Sequence, residues 1–330
     1  MKHLFTINLQ LFAGNLNTNT TLDGGLSAEN KTFYDMQLID EASPNLVHAQ
    51  FGQKRPIPKN GGKKIEFRKY ASLEKATTPI TEGVTPDGKK LNVTTIEATL
   101  DQYGDFVAYS DVLDLTAIDN NVVEATKILG NQAGLTLDSV HRDQIHEGIT
   151  NVFFASKKDG TAVTERGNLD SSCVLTVDTI KKAVAFLKKN NAPTIDGSYI
   201  AVISPLTAYE LMSDEAWIDA HKYATPDNIY NGEIGKIAGV RFVESSEAKI
   251  YDGGVAGTLL FGANAYGVTE IEGGGLRTII KQLGSAGSAD PLDQRATVGW
   301  KAMTVAEVLV PQYIIRIESK IKLAEWAEEN

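Results

Sequence analysis

Asp219 and His221 stand two apart in a stretch that begins at Ser213, SDEAWIDAHKYATPDNIYNGEIGKIAGVRFVES, and are followed directly by Lys222 and Tyr223. A carboxylate beside a histidine is the pairing of general-base chemistry: the acid orients the imidazole, which takes a proton from a nucleophile or a water. That chemistry would make the chain a soluble hydrolase using His221 and Asp219. No credible nucleophile stands near the pair in sequence, and a distant one stays open. Trp217 and Tyr223 are of the types favoured at interface centres. A structured surface that another protein must fit is the preferred reading, with burial of Trp217 inside its own domain as the alternative. Asn231 and Gly232 predict a turn, and Gly235 and Gly239 punctuate the approach to a strand at Val240.

The other chemically capable residues do not assemble into a site. His141 and His146 are five apart on a predicted helix, so they lie ~140° apart around its axis at ~3.6 residues per turn and cannot share a metal. Asp138 and His141, at i and i+3, make an ordinary helix contact. Cys173 is the single cysteine. It cannot form an internal disulfide, and its place in Cys173-Val174-Leu175 reads as a buried, inert thiol, compatible with a reducing compartment. There is no HExxH, no G-x-S-x-G and no Walker-type loop. Gly273-Gly274-Gly275 lacks the lysine and following helix of a phosphate cradle. Asn19-Thr20-Thr21 and Asn92-Val93-Thr94 match the glycosylation pattern, which means nothing without secretion. No catalytic residue, metal or cofactor is expected.

The 330 residues exceed a typical single domain, so two domains, or one with large insertions, are expected. An apolar share of 42% fits a globular core, and no apolar run approaches the ~20 residues that span a bilayer. The net charge of −10 argues against general electrostatic wrapping of nucleic acid. Basic residues gather once, at Lys54, Arg55, Lys59, Lys63, Lys64, Arg68 and Lys69. They form either a solvated loop and strand face or a contact with an acidic surface, including another copy of this acidic chain.

These residues must be carried by elements that the hydrophobic periods define. Phe5, Ile7, Leu9 and Leu11 alternate with polar residues, which fits an extended strand better than a signal helix. Asn15 to Gly25 reads as a flexible arm and Ala28 to Ile39 as a short helix. Lys63 to Tyr70 predicts a strand with Ile65 and Phe67 on one face, and Leu91 to Leu100 a second extended run. Together they form a long hairpin-like excursion. A lone two-stranded ribbon is marginal in water, so a neighbouring subunit is expected to hold it. The strongest helical signal runs from Asp119 to Gly148, with Asp119 or Asn120 as its cap. Gly130 and Gly134 within it mark either a close backbone crossing or a bend. A second helix spans Val177 to Lys189, stopped by Asn190 to Pro193. A strand at Tyr199 to Ile203 precedes a helix at Pro205 to Met212 with proline in its first position. Val240 to Val243 and Thr258 to Phe261 predict buried strands, and Gly299 to Ile321 is mostly strand. Helices and strands do not alternate regularly, which indicates α+β.

Five segments carry a family resemblance. "YIAVISPLTAYELMSDEAWIDAHKYATPDNIYNGEIGKIAGVRFVES" resembles the capsomer-forming domain of one branch of tailed-bacteriophage major capsid proteins, and "GSADPLDQRATVGWKAMTVAEVLVPQYIIRIES" resembles their carboxy-terminal segment. "FRKYASLEKATTPITEGVTP" and "ATLDQYGDFVAYSDVLDLT" are similar to the family's extended loop and its return to the core, and "LQLFA" to the opening of many such proteins. The likeness covers nearly the whole chain in the family's order. It implies the α+β Hong Kong 97-type capsid fold. Residues 1–50 would be an amino-terminal arm and 51–100 an extended β-hairpin loop overlapping a neighbour. Residues 101–175 with 291–330 would form a peripheral domain holding the spine helix 119–148, and 176–290 an axial domain.

The resemblance further implies a structural shell protein, not an enzyme, that forms pentamers and hexamers around double-stranded DNA without reading its sequence. A portal and a separate scaffold protein would be partners. The location would be the virion capsid, with assembly in the host cytoplasm and no membrane. Head-to-tail rings close by symmetry, and many weak contacts sum to a strong shell. Acidic walls would keep a container from sticking to its DNA. Candidate self-association residues are Lys63, Lys64, Arg68, Glu82, Lys89, Trp217, Asp219, His221, Tyr223 and Arg295. Some members of the fold crosslink through Lys and Asn; no matching site is predicted here. An encapsulin-like nanocompartment shell is the near alternative, and a monomeric binding module a more distant one.

Overall fold

The computed structural model describes residues 36, 38–42, 46–70, 73, 75–80, 82, 83, 85, 88–116, 121–221, 234–272, 274–285 and 290–323, with the backbone alone at 69, 70, 114–116, 121, 220 and 221. The strand expected at 5–11, the arm at 15–25 and most of the helix at 28–39 lie outside the described residues. So do Tyr223, the turn at Asn231 and Gly232, and the side chain of His221.

In chain order the elements are β1 (Gln53–Lys54), β2 (Lys64–Tyr70), β3 (Val93–Thr99), β4 (Asp101–Ser110), α1 (Asp111–Thr116), α2 (Asn121–Gly148) and β5 (Val152–Phe154). There follow α3 (Val177–Lys189), β6 (Tyr199–Ile203), α4 (Pro205–Met212), α5 (Glu215–His221), β7 (Lys236–Ile237) and β8 (Val240–Glu244). The chain then adds β9 (Ile250–Tyr251), β10 (Val255–Phe261), β11 (Tyr266–Glu270), β12 (Arg277–Lys281), β13 (Arg295–Val308) and β14 (Ile314–Lys320). Helices and strands mix without regular alternation, as an α+β chain should.

One sheet is organised by β13. Its first ten residues pair antiparallel with all of β4, from Arg295 opposite Ser110 to Thr304 opposite Asp101. On its other edge, β12 pairs with Thr297–Lys301 and β11 with Thr304–Val308. The second sheet runs β5-β14-β10-β6-β8-β7, with β9 also on β10. All seven residues of β10 are buried, so this strand is covered on both faces. β11 and β12, within the span expected for an axial domain, pair with β13; β5 and β14, outside that span, lie in the sheet of β10.

The long helix joins the two sheets. At ~1.5 Å per residue, α2 is ~42 Å long. Leu129, Ala133 and Leu137 recur every four residues and pack on Val298, Trp300 and Ala302, alternate residues of β13. Ile145, two further steps along, and Ile149 just past the helix pack among Leu259, Phe261 and Ile314 of the second sheet. The residues expected to cap the helix, Asp119 and Asn120, lie outside the described residues. Gly130 proves to be a close crossing: a Cβ there would stand 2.9 Å from the Leu38 carbonyl oxygen.

α3 has the expected span. Thr176 caps it, its hydroxyl accepting from the Thr179 N–H at 3.4 Å, and Asn191 ends it in the left-handed region at φ 53°. Its apolar stripe, Val177, Ile180, Val184 and Leu187, packs on Leu260, Ile315 and Ile317. α4 opens with Pro205 after Ser204, as expected.

The β2–β3 ribbon pairs without a break from Lys64 opposite Thr99 to Tyr70 opposite Val93. Phe67 is 4% exposed and Ile65 half-buried, while Glu66 and Arg68 face solvent, matching the predicted faces. The expectation that a neighbour must hold this ribbon is corrected at its base. There Phe67, Ala98 and Leu100 pack on Ile57, Val305 and Leu309 of the same chain.

Candidate assembly surfaces

The described beginning of the stretch that opens at Ser213 contributes to the core. Asp214 accepts from the Val177 N–H at 2.9 Å, which ties the turn before α5 to the start of α3. α5 then points Trp217 inward. It is 5% exposed and meets Phe242 edge-on, with ring centroids 5.5 Å apart. Trp217 therefore anchors its own domain, correcting the preferred surface reading for this residue. Asp219 is exposed on the same short helix. Whether it meets His221 concerns a side chain outside the described residues.

The remaining histidines and buried charges cross-brace the fold. Asp138 does not pair with His141, as its spacing suggested. Its carboxylate accepts from the His48 backbone N–H at 2.7 Å and lies 2.7 Å from His48 Nδ1. His141 turns to Thr304 on β13, with Nε2 2.8 Å from the hydroxyl. Burial lowers its pKa to about 4, against the opposing pull of Asp138. His146 lies 2.9 Å from the Tyr251 hydroxyl, and burial, reinforced by nearby cations, holds its pKa well below the usual imidazole range. Glu318, 1% exposed on β14, accepts from Arg166 Nε and Nη2 at 2.7 and 2.6 Å, and Arg316 Nε stands 2.9 Å from it. The Arg166 guanidinium covers the Tyr251 ring at 3.7 Å.

His48, Asp138, His141, His146 and Glu318 are buried within the chain, while Arg166 is half-buried. His48 and Arg166 escaped the sequence reading, because the partners of each lie far along the chain. Arg316 and Glu318, alternating with Ile315 and Ile317 in β14, were a local signal. Cys173 is buried, as expected. Among the described residues no group of three or more His, Cys, Asp or Glu could hold a metal, and no helix is long and apolar enough to cross a membrane.

Among the described residues two surfaces stand out. Along the ribbon, Lys63, Lys64, Arg68, Glu82 and Lys89 are exposed, and the tip bares Leu73, Ile80 and Leu91. Lys64 reaches Glu97 across the ribbon at 3.4 Å, an exposed pair contributing little. Arg295, at the start of β13, is exposed and its backbone N–H donates to Asp290 at 2.7 Å. The second surface is the face of β4, β13 and β12 turned away from α2. It holds a groove of about 510 Å³. Phe106, 66% exposed, lies beside Gly299, where a Cβ would stand 2.7 Å from that of Phe106.

A model of the family described as phage capsid protein matches residues 92–317, more than half of the chain. The chain belongs to the phage capsid protein family. The matched span runs from β3 through α2 into β14 and leaves out β1 and β2. The capsid protein of cyanophage Pam1 superposes with a TM-score of 0.64 at 14% identity, over 86% of this chain and 92% of that one. The capsid of Ralstonia phage GP4 gives 0.61 at 15%, over 84% and 88%. A virus-like particle from Pyrococcus furiosus gives 0.51 at 12%, over 88% and 99%. No curated protein matches the sequence. At these identities the likeness carries fold, and the fold of this phage capsid family member is the Hong Kong 97 type.

Proposed function

We propose that this chain is the major capsid protein of a tailed bacteriophage, which assembles through pentamers and hexamers into an icosahedral shell around double-stranded DNA. Family membership supports the structural role. The observation that carries self-assembly is the β2–β3 ribbon, anchored at its base while its tip presents Leu73, Ile80 and Leu91 to solvent. Apolar side chains at the end of a thin ribbon gain burial only on another surface. In a shell of identical subunits that surface is a sister copy, and the ribbon overlaps it.

In this reading the chain is no enzyme and needs no cofactor. Residues 1–50 act as an arm and 51–100 as the overlapping loop. Residues 101–175 with 291–330 form the peripheral domain and 176–290 the axial one, the two sheets interlocking across those bounds. Lys63, Lys64, Arg68, Glu82, Lys89, Asp219, His221, Tyr223 and Arg295 are proposed at contacts between copies. Portal and scaffold are separate partners, assembly takes place in the host cytoplasm, and the product is the virion capsid. The net charge of −10 keeps the DNA from adhering to the wall.

Electron microscopy of the expressed protein, with and without its assembly partners, tests this reading. Closed shells support it. Concentrated, folded protein that stays monomeric beside those partners sinks it. The likeness to the Pyrococcus virus-like particle favours a second reading, a nanocompartment shell of the same fold. Particles that carry enzyme cargo and no DNA would select it. Alanine at both Asp219 and His221 should destroy no enzymatic activity.

A further inference from the structure

The solvent side of α3 carries charge of one sign. Lys181, Lys182, Lys188 and Lys189 occupy every exposed position of this helix except Asp178 and Ala185. Two helical turns separate Lys181 from Lys188 and Lys182 from Lys189, which sets all four on one face. Lys182 pairs with Asp178 at 2.7 Å, and among the described residues no carboxylate pairs with the other three. On a chain of net charge −10, such a face calls for an acidic partner.

Beside this helix the second sheet ends. Among the described residues β5 pairs only with β14. Asn151 C=O and Ala155 N–H bond to β14, so alternation turns the N–H and C=O of Val152 and Phe154 outward. A free edge of this kind is a template for an added strand. Between the edge and α3 lies a groove of about 330 Å³, lined by Val152, Phe153, Phe154, Val163, Thr179 and Lys182. A cavity of ~150 Å³ holds benzene, so this groove has room for an indole.

We infer that the groove receives residues 324–330 of a second copy, AEWAEEN, with Trp326 between β5 and α3 and Glu325, Glu328 and Glu329 against the lysines. This contact rests on the shell reading. The segment holds what the site asks for, one large aromatic among acids, and an aromatic with charges at its rim is the usual make-up of an interface centre. A protomer's own Trp326 falls short of its own groove. Leu323, the last described residue, packs with Leu206 at the start of α4, just after β6, and the Lys322 N–H donates to Glu210 of the same helix. α3 and α4 cover one face of the sheet, on which β5 lies three strands from β6. Three strand spacings make ~14 Å, and α3 itself is ~10–12 Å across. The three residues from Leu323 to Trp326 span at most ~11 Å. The occupant is therefore a sister copy. Donor and acceptor are different patches, so the contact is head-to-tail and fits a closed ring.

The test places photo-crosslinking p-benzoylphenylalanine at position 326 of the full chain and irradiates particles assembled from mixed light and ¹⁵N-labelled protein. Mass spectrometry should find crosslinks between different copies, landing on 152–156, 163–164 or 179–182. Crosslinks within one copy, crosslinks between copies elsewhere, or none at all overturn the groove and leave the shell reading intact. Wild-type protein that never multimerises beside its assembly partners overturns the shell reading and this contact with it. Trp326→Ala gives an independent readout: the protomer's melting temperature should stay unchanged while assembly needs on the order of tenfold more protein. Glu325→Lys with Glu328→Lys should weaken assembly too, and recover when combined with Lys181→Glu and Lys182→Glu. Unchanged assembly by Trp326→Ala, or no recovery in the combined variant, counts against the site. Lys181→Glu with Lys182→Glu that assembles normally yet fails to retain DNA would assign the lysine face to DNA and overturn the contact.

Discussion

His48 and Asp138 are 90 residues apart in the chain, yet both oxygens of the Asp138 carboxylate lie 2.7 Å from nitrogens of His48, one backbone and one ring, with both residues buried. The Tyr266 hydroxyl donates to the carbonyl of the same histidine at 2.7 Å. A residue five positions ahead of β1 is thus clamped to the middle of α2 and to β11. Removing one partner of such a buried pair strands the other and costs about 3–5 kcal/mol. Asp138→Ala should lose about that much in urea denaturation, and Asp138→Asn less, because an amide still offers one acceptor oxygen. A loss under about 1 kcal/mol for the alanine variant would show that the clamp does not hold the fold.

Acid should loosen the protomer through its buried histidines. His141 titrates at about 4 in the folded chain and near 6.5 when exposed, so the unfolded chain takes up its proton first as the pH falls. The stabilisation is complete above about pH 6.5 and is lost progressively toward pH 4, at up to ~1.4 kcal/mol per pH unit. His146, shifted the same way, adds to that loss as the pH falls. Asp143 and Asp170 are held low and act below that window; Glu210 and Glu307, pushed up by burial, oppose the histidines within it. The decisive measurement is therefore a difference. Between pH 6.5 and 4, His141→Gln should show a shallower stability slope than wild type by close to one proton. Equal slopes would mean that His141 takes up its proton without unfolding.

Local periods predicted the elements that local periods control. The four-residue steps of Leu129, Ala133 and Leu137 and the stripe of α3 were legible because one helix face meets one surface. The ribbon was legible from Ile65 and Phe67 alternating with Glu66 and Arg68, and from the turn residues between its strands. Trp217 was misplaced because the centre of an interface and the centre of a domain ask for the same large aromatic. His48 with Asp138, and Arg166 with Glu318 at a separation of 152 residues, left no local trace. Pairings over such distances follow from sheet topology. That β11 and β12 leave the sheet of β10 to join β13 was equally invisible. The groove at Phe106 needed the third dimension, since it joins the consecutive strands β12 and β13 to β4, far earlier in the chain.

Gly130 sets a tight contact against a helical preference. Alanine there gains ~1 kcal/mol of helix propensity. Its Cβ, however, would stand 2.9 Å from the Leu38 carbonyl oxygen and from Glu41 Cβ. Backbone cannot swing aside as a flexible side chain can, and overpacking of this kind costs about 1–3 kcal/mol. Gly130→Ala should therefore be neutral to destabilising in thermal melts, and Gly130→Val clearly destabilising. If Gly130→Ala instead raises the melting temperature by several degrees, residues 38–42 do not rest on α2.

The sharpest separation between folding and assembly comes from the ribbon, because its two ends do different work. Phe67, Ala98 and Leu100 bury themselves against Val305 and Leu309, so the base belongs to the protomer's core. The tip lies beyond the far end of β2, a seven-residue strand ~23 Å long at ~3.3 Å per residue, and its Leu73, Ile80 and Leu91 are exposed. Deleting Ala71 to Lys89 shortens the excursion but keeps the paired strands, with residues 90–92 left to close the turn. The variant should melt within a few degrees of wild type, since the cluster around Phe67 is untouched. By light scattering and electron microscopy it should form no large particles under conditions where the wild type does. Truncating Phe67 to alanine should do the reverse in kind: a loss of about 3–5 kcal/mol in protomer stability, with assembly failing only as far as the fold does. Normal shells from the deletion would mean that the tip reaches no neighbour and that copies cohere through other surfaces.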